Sequence, residues 1–178
     1  MKKFKLLLLD TNIVIKAFEL GLWQNLTERC DIYLAATVIQ ESEYYEDQDG
    51  HTHRIDLSQD IGVRIMKFEL RPSELSQFIA LFDPSYLEKL DDGETESLAF
   101  LVNSSEPLLI CSADKIVYRI LGNLRRSEQG ISLEEVLQQI GLGIPLPRQY
   151  RKEFRLACST EGFQDSLGGI GYRGETKG

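Results

Sequence analysis

Two histidines, three cysteines, one tryptophan and two methionines are all that 178 residues hold of these types. Cys30, Cys111 and Cys158 are odd in number and have no CxxC spacing. That argues against a disulfide framework or a cysteine zinc site and fits reduced, buried thiols. His51 and His53 stand alone in one H-T-H triplet, a spacing that serves no closed metal site. No apolar run approaches the ~20 residues of a membrane span, so no membrane role is expected. The opening MKKFKLLLLD has a basic start, but its apolar patch is too short for a signal peptide and ends in aspartate. It reads as a first strand, in a cytoplasmic protein. Basic charge is also scarce, 20 Lys and Arg against 28 Asp and Glu. A net charge of −8 argues against a surface that grips nucleic acid by a uniformly positive field. No segment repeats, and GGIGYRG lacks the preceding strand and following helix of a dinucleotide fingerprint.

What is present suits one α/β domain. The chain is 42% hydrophobic, enough to bury a core. Lys5 to Leu9 and Leu108 to Cys111 read as buried strands, and Ile32 to Leu34 as another. Helical spacing follows each: Ile13, Ala17 and Leu20 after the first, Val38 through Glu41 to Tyr45 after the second, and Lys115 to Leu124 after the last. Such alternation predicts a mostly parallel central sheet flanked by helices. Residues 46–60 interrupt it with polar, turn-rich sequence, and Gly62 to Leu70 alternates like a strand, pairing with a short one near Arg54 to Leu57. Pro72 to Phe82 and Glu94 to Val102 read as helices, and Ser132 to Glu135 opens another with a capping box. The organisation expected is a body over 1–144 and a C-terminal extension over 145–178, partly mobile. The extension has a surface helix over Arg148 to Cys158 and then six glycines in the last seventeen residues. It holds six basic residues against four acidic, the reverse of the body's balance.

Four acids stand out by position. Asp10 ends LLLLD, Asp114 follows LLICSA, Glu41 ends AATVIQE and Glu94 opens ETESLAF after Asp91-Asp92-Gly93. In an open α/β sheet the ligand site lies beyond the carboxyl ends of the strands. Carboxylates gathered there repel one another unless a cation neutralises them. Oxygen-only donors suit Mg²⁺ or Mn²⁺, and such a site suits phosphoryl chemistry. Taken singly, Asp10 and Asp114 read equally as helix caps, and Glu41 and Glu94 as solvated helix residues.

The set resembles the PIN-domain family of metal-dependent ribonucleases, which includes VapC-type toxins. The matching residues are the strand ending in Asp10-Thr11-Asn12, the A-x-x-V-x-x-E segment Ala35 to Glu41, GETESLAF, and Ser112-Ala113-Asp114, spanning roughly residues 4–125. The resemblance implies a PIN-like fold and a Mg²⁺- or Mn²⁺-dependent endoribonuclease cleaving single-stranded or structured RNA, as the toxin of a type II toxin–antitoxin pair. Asp10, Glu41, Glu94 and Asp114 would be both catalytic and metal-binding, with Thr11, Asn12 and Ser112 supporting them. RNA, an antitoxin protein and a second copy of the chain are the implied partners. The third acid is usually Asp in these toxins. Here Glu94 takes that place and Glu96, two residues on, faces about 200° round the helix. Segments 46–60 and 145–178 have no counterpart in such toxins. Arg119, Arg125 and Arg126 are candidates for phosphate contacts, Lys115 reads first as a surface lysine, and the region of Trp23 is a candidate interface. A catalytically silent PIN-like binding module is the alternative. A haloacid-dehalogenase-type phosphatase is disfavoured because Asn12 stands where that family has a second aspartate.

Overall fold

The computed structural model describes residues 3–8 and 10–174. Four parallel strands form the central sheet: β1 (Phe4–Leu8), β2 (Cys30–Ala35), β5 (Ile65–Phe68) and β6 (Leu109–Cys111). Their order is β5-β2-β1-β6. Between β2 and β5 the chain makes an antiparallel hairpin, β3 (Tyr44–Glu46) and β4 (Thr52–Arg54). The fold is α/β with a parallel sheet flanked by helices. Among the described residues no helix is long and apolar enough to cross a membrane.

Helices cover both faces, as a parallel sheet requires. One core cluster joins Leu6, Ile32, Leu34 and Ile65 to α1 (Thr11–Glu19), α2 (Trp23–Arg29), α3 (Ala36–Glu41) and α8 (Leu133–Gln139). The other joins Leu108 and Ile110 to α4 (Pro72–Ala80), α6 (Asp92–Asn103), α7 (Lys115–Asn123) and α9 (Lys152–Leu167). A short helix, α5 (Pro84–Leu87), adds Tyr86 to this second cluster. The alternation of Ile110 and Cys111 between the clusters is the period-two signature of a strand buried on both faces.

Four expectations are revised. The helix after β2 stops at Glu41, where Ser42 turns its hydroxyl back to the Val38 carbonyl, so Tyr45 lies in a strand. The segment near Arg54 pairs with Tyr44–Glu46, while the strand after Gly62 joins the central sheet beside β2, Ile32 opposite Ile65. The proposed boundary after residue 144 falls inside packed structure: Leu146 and Tyr150 are buried in the first cluster and Cys158 in the second. The last helix also runs on to Leu167, where a surface helix ending at Cys158 was expected. Gly122 of α7 and Gly162 of α9 let the two backbones meet. A Cβ on Gly122 would stand 1.9 Å from the Ser159 carbonyl oxygen, and one on Gly162 would stand 1.8 Å from that of Arg119. The end of the glycine-rich tail, 175–178, lies outside the described residues.

Candidate metal centre

Strand order fixes where a site forms. From β1 the chain steps to β2 and β5 on one side, then returns to β6 on the other, so β1 and β6 flank the point where the winding reverses. Their ends are in register, Leu8 opposite Cys111. Ligand sites of open α/β sheets form beyond the carboxyl ends of the strands at such a reversal. Asp10 follows β1 there, and Ser112-Ala113-Asp114 follows β6.

Asp10 is the N-cap of α1, its Oδ1 accepting from the Ile13 amide at 2.8 Å. Its Oδ2 accepts from the Ser112 hydroxyl and the Ala113 amide, both at 2.8 Å, which ties the end of β1 to that of β6. Only 4% of the residue is exposed, and burial pushes its carboxyl above the usual range, against these hydrogen bonds and together with the charge of Asp114. Ser112, fully buried, also accepts the Asp114 amide at 2.9 Å. Asp114 caps α7 through the Ile116 amide and is exposed.

Glu94 reaches the same edge from α6. It is the third residue of a capping box, in which Asp91 accepts the Glu94 amide at 2.7 Å and Glu94 accepts the Asp91 amide at 3.3 Å. Gly93 makes room for this helix start, since a Cβ there would stand 2.9 Å from a Val38 methyl of α3. Burial, the charges of Asp91 and Asp114, and then that of Asp10 push Glu94 up to about 8. Asp10 and Asp114, which follow β1 and β6, thus both act on Glu94 by charge, and they are joined to each other through the Ser112 hydroxyl. Glu41, exposed at the end of α3, is held toward the same edge by the Thr11 hydroxyl at 3.3 Å. Asn12 is exposed beside it. Glu96 turns away and accepts from Thr37 at 2.7 Å and the Leu70 amide at 3.2 Å.

The carboxylates do not close into a cage. Among the described residues, three candidate ligand atoms come within 4.8 Å of one another only at Asp47, Asp49 and His51, on the exposed turn between β3 and β4. Asp47 closes that turn by accepting the Asp49 and His51 amides and pairing with His53 at 2.6 Å. The two histidines therefore lie nearer an acidic cluster than the sequence suggested, in an arrangement that turn geometry accounts for.

Some expected helpers are already engaged. Lys115 pairs with Glu161 at 2.7 Å, and Arg119 pairs with Asp165 at 2.6 Å while lying over the Tyr86 ring. Arg125 and Arg126 follow the far end of α7, about 14 Å along the helix from Asp114. Trp23 is 7% exposed, stacked on Phe18 and donating to Asp60, so it builds core and not an interface.

Three contributors were not foreseen. Tyr118, fully buried, accepts the Ser112 amide at 3.1 Å, and its hydroxyl lies 2.8 Å from the Ser112 carbonyl and 2.9 Å from that of Ile131. It fixes the residue that fixes Asp10. Tyr150 is brought in by the C-terminal segment, and burial followed by the charge of Asp10 raises its phenol. Asp91 adds a third charge around Glu94, beside those of Asp114 and Asp10. The DDGE run signals Asp91, whereas nothing local marks the tyrosines.

Comparison of the chain with protein-family models, curated proteins and solved structures finds no match.

Proposed function

We propose that this chain is a divalent-metal-dependent phosphodiester hydrolase of PIN-like fold, acting on single-stranded RNA. The observation that carries the reading is the joining of the ends of β1 and β6, where Asp10 accepts from Ser112 and Ala113 and the Ser112 hydroxyl in turn accepts the Asp114 amide, with Glu41 tied in through Thr11. Capping alone explains Asp10 and Asp114 singly but not the Ser112 link between them.

The donor set fits Mg²⁺ or Mn²⁺. It is all oxygen, and the open spacing suits an ion that keeps several of its waters. Three of the four acceptor positions on Asp10 are filled by protein donors, leaving one on Oδ1. Asp114 keeps one oxygen without a donor among the described residues. A bound divalent ion would supply an activated water and offset charge on the phosphate. The protein's own share is positioning: Ser112 and Ala113 hold Asp10, the capping box holds Glu94, and Thr11 steadies Glu41. Near neutral pH Glu94 holds a proton until a cation displaces it.

Asp114→Asn is the clean test, because the amide oxygen still caps α7. Divalent-dependent cleavage of a single-stranded RNA panel is expected to fall at least a hundredfold, with circular dichroism unchanged. Cleavage that survives in the variant, or in EDTA, defeats the proposal. Asp10→Asn is a poorer choice, since one amide oxygen cannot serve both the Ile13 and the Ala113 amides, and leaving either against an NH₂ group costs about 1–3 kcal/mol. A silent PIN-like module is the second reading, favoured by the cap that each of three acids provides. It predicts neither cleavage nor metal binding.

A further inference from the structure

The inserted hairpin has two unlike faces. Tyr45 and His53, directly opposite across β3 and β4, stack at 5.0 Å, and Tyr45 packs on Phe18 of α1 at 5.6 Å. That face is committed to the body. Strand alternation turns the neighbouring pair, Tyr44 and Arg54, the other way. Tyr44 is 52% exposed, and Arg54 is exposed and forms no salt bridge among the described residues.

This pair stands at the rim of a groove of about 420 Å³, within the range of small-ligand sites. Ile55 and Leu57 give it an apolar lining, and Glu43 and Asp56 supply carboxylate acceptors. Gln40 and Ser42, the chain neighbours of Glu41, line it too, although Glu41 itself does not. Tyr44 lies three residues beyond Glu41, no more than about 11 Å along the chain.

We infer that Tyr44, Arg54 and this groove form a subsite for one nucleotide of a single-stranded nucleic acid whose backbone continues to the acid cluster. This deepens the hydrolase reading and rests on it. The chemistry matches part by part. An exposed aromatic face stacks a base of any sequence. An exposed guanidinium, which acts by charge on Asp56 without a direct ion pair, takes a phosphate that the nearby acids alone would repel. The carboxylates of Glu43 and Asp56 in the groove accept from the amino groups of nucleobase edges. A hairpin already glued to α1 through Tyr45 presents these groups without ordering a loop on binding.

The test measures anisotropy of a labelled single-stranded RNA with the full-length Asp114→Asn protein in Mg²⁺. Adding Tyr44→Ala raises Kd about tenfold and leaves the salt dependence unchanged, while Tyr44→Trp retains binding. Adding Arg54→Ala raises Kd and lowers the slope of log affinity against log salt by about 0.7. In the otherwise unaltered chain, both variants keep the wild-type Mn²⁺ affinity. If the parent binds RNA and neither variant weakens it, the subsite is overturned, the pair is a solvated or protein-docking face, and the hydrolase reading stands. Tyr44-dependent binding by a chain that cleaves no RNA supports the subsite and removes the hydrolase. A parent that binds no RNA overturns both.

Discussion

Glu94 is the residue at which burial and charge conflict most openly. The residue is 2% exposed, and burial together with the charges of Asp91, Asp114 and Asp10 pushes its carboxyl up to about 8. A carboxyl whose folded pKa exceeds its unfolded value stabilises the fold at low pH. That stability is lost as pH rises from about 4.5 through about 8. Asp10 is shifted the same way. Metal-free protein is therefore expected to be less stable at pH 8 than at pH 5. Glu94→Gln should recover about 1–3 kcal/mol at pH 8 and little at pH 5, as read by urea denaturation at both values. A variant no more stable than wild type at pH 8 would show that the charge is not strained there. Tyr118→Phe tests the support behind the acids: it strips a buried hydroxyl from three backbone groups and should cost about 1–3 kcal/mol. At this scale the sequence was informative about Asp10, Glu94 and Asp114, because each sits in a local pattern of strand end or helix start. Tyr118 was not legible, since its role depends on a carbonyl thirteen residues away as well as on Ser112.

Among the elements, the pairing of α7 with α9 shows most plainly what local reading misses. Two glycines, 40 positions apart in the chain, remove the side chains at one helix crossing. The Arg119–Asp165 bond then closes the contact, and Tyr86 donates to the same carboxylate at 2.7 Å. Gly122→Ala and Gly162→Ala are each expected to cost about 3 kcal/mol or more, because the added methyl meets backbone that cannot swing aside. Thermal unfolding of either variant near the wild-type midpoint would mean that the helices separate without loss. Glycine content alone suggested a loose tail in the sequence, and only the facing helix shows why Gly162 is helical and buried. The hairpin was missed for a related reason: Tyr44–Glu46 reads as the end of a helix until its partner strand is known. The strand–helix alternation that builds the sheet was legible, because buried parallel strands appear as short apolar runs wherever they pair.

For the molecule as a whole, the sheet order does what no single motif can. It brings residues 10 and 114 to adjacent strand ends and points the first turns of α1, α6 and α7 at one edge, where peptide N–H groups favour negative charge. Those dipoles offset the acids only in part, as the raised Glu94 shows. The remaining repulsion is what a divalent cation would relieve. Binding would also require Glu94 to lose its proton, so affinity should rise with pH up to about 8, with proton release near neutrality. The most direct measurement is calorimetric titration of the full chain with Mn²⁺ at pH 7 and pH 8, wild type beside Glu94→Gln. The predicted result is saturable binding that tightens at the higher pH and weakens at least tenfold in the variant. Absence of binding at millimolar Mn²⁺, or equal binding by both proteins, would contradict a metal centre at this edge of the sheet.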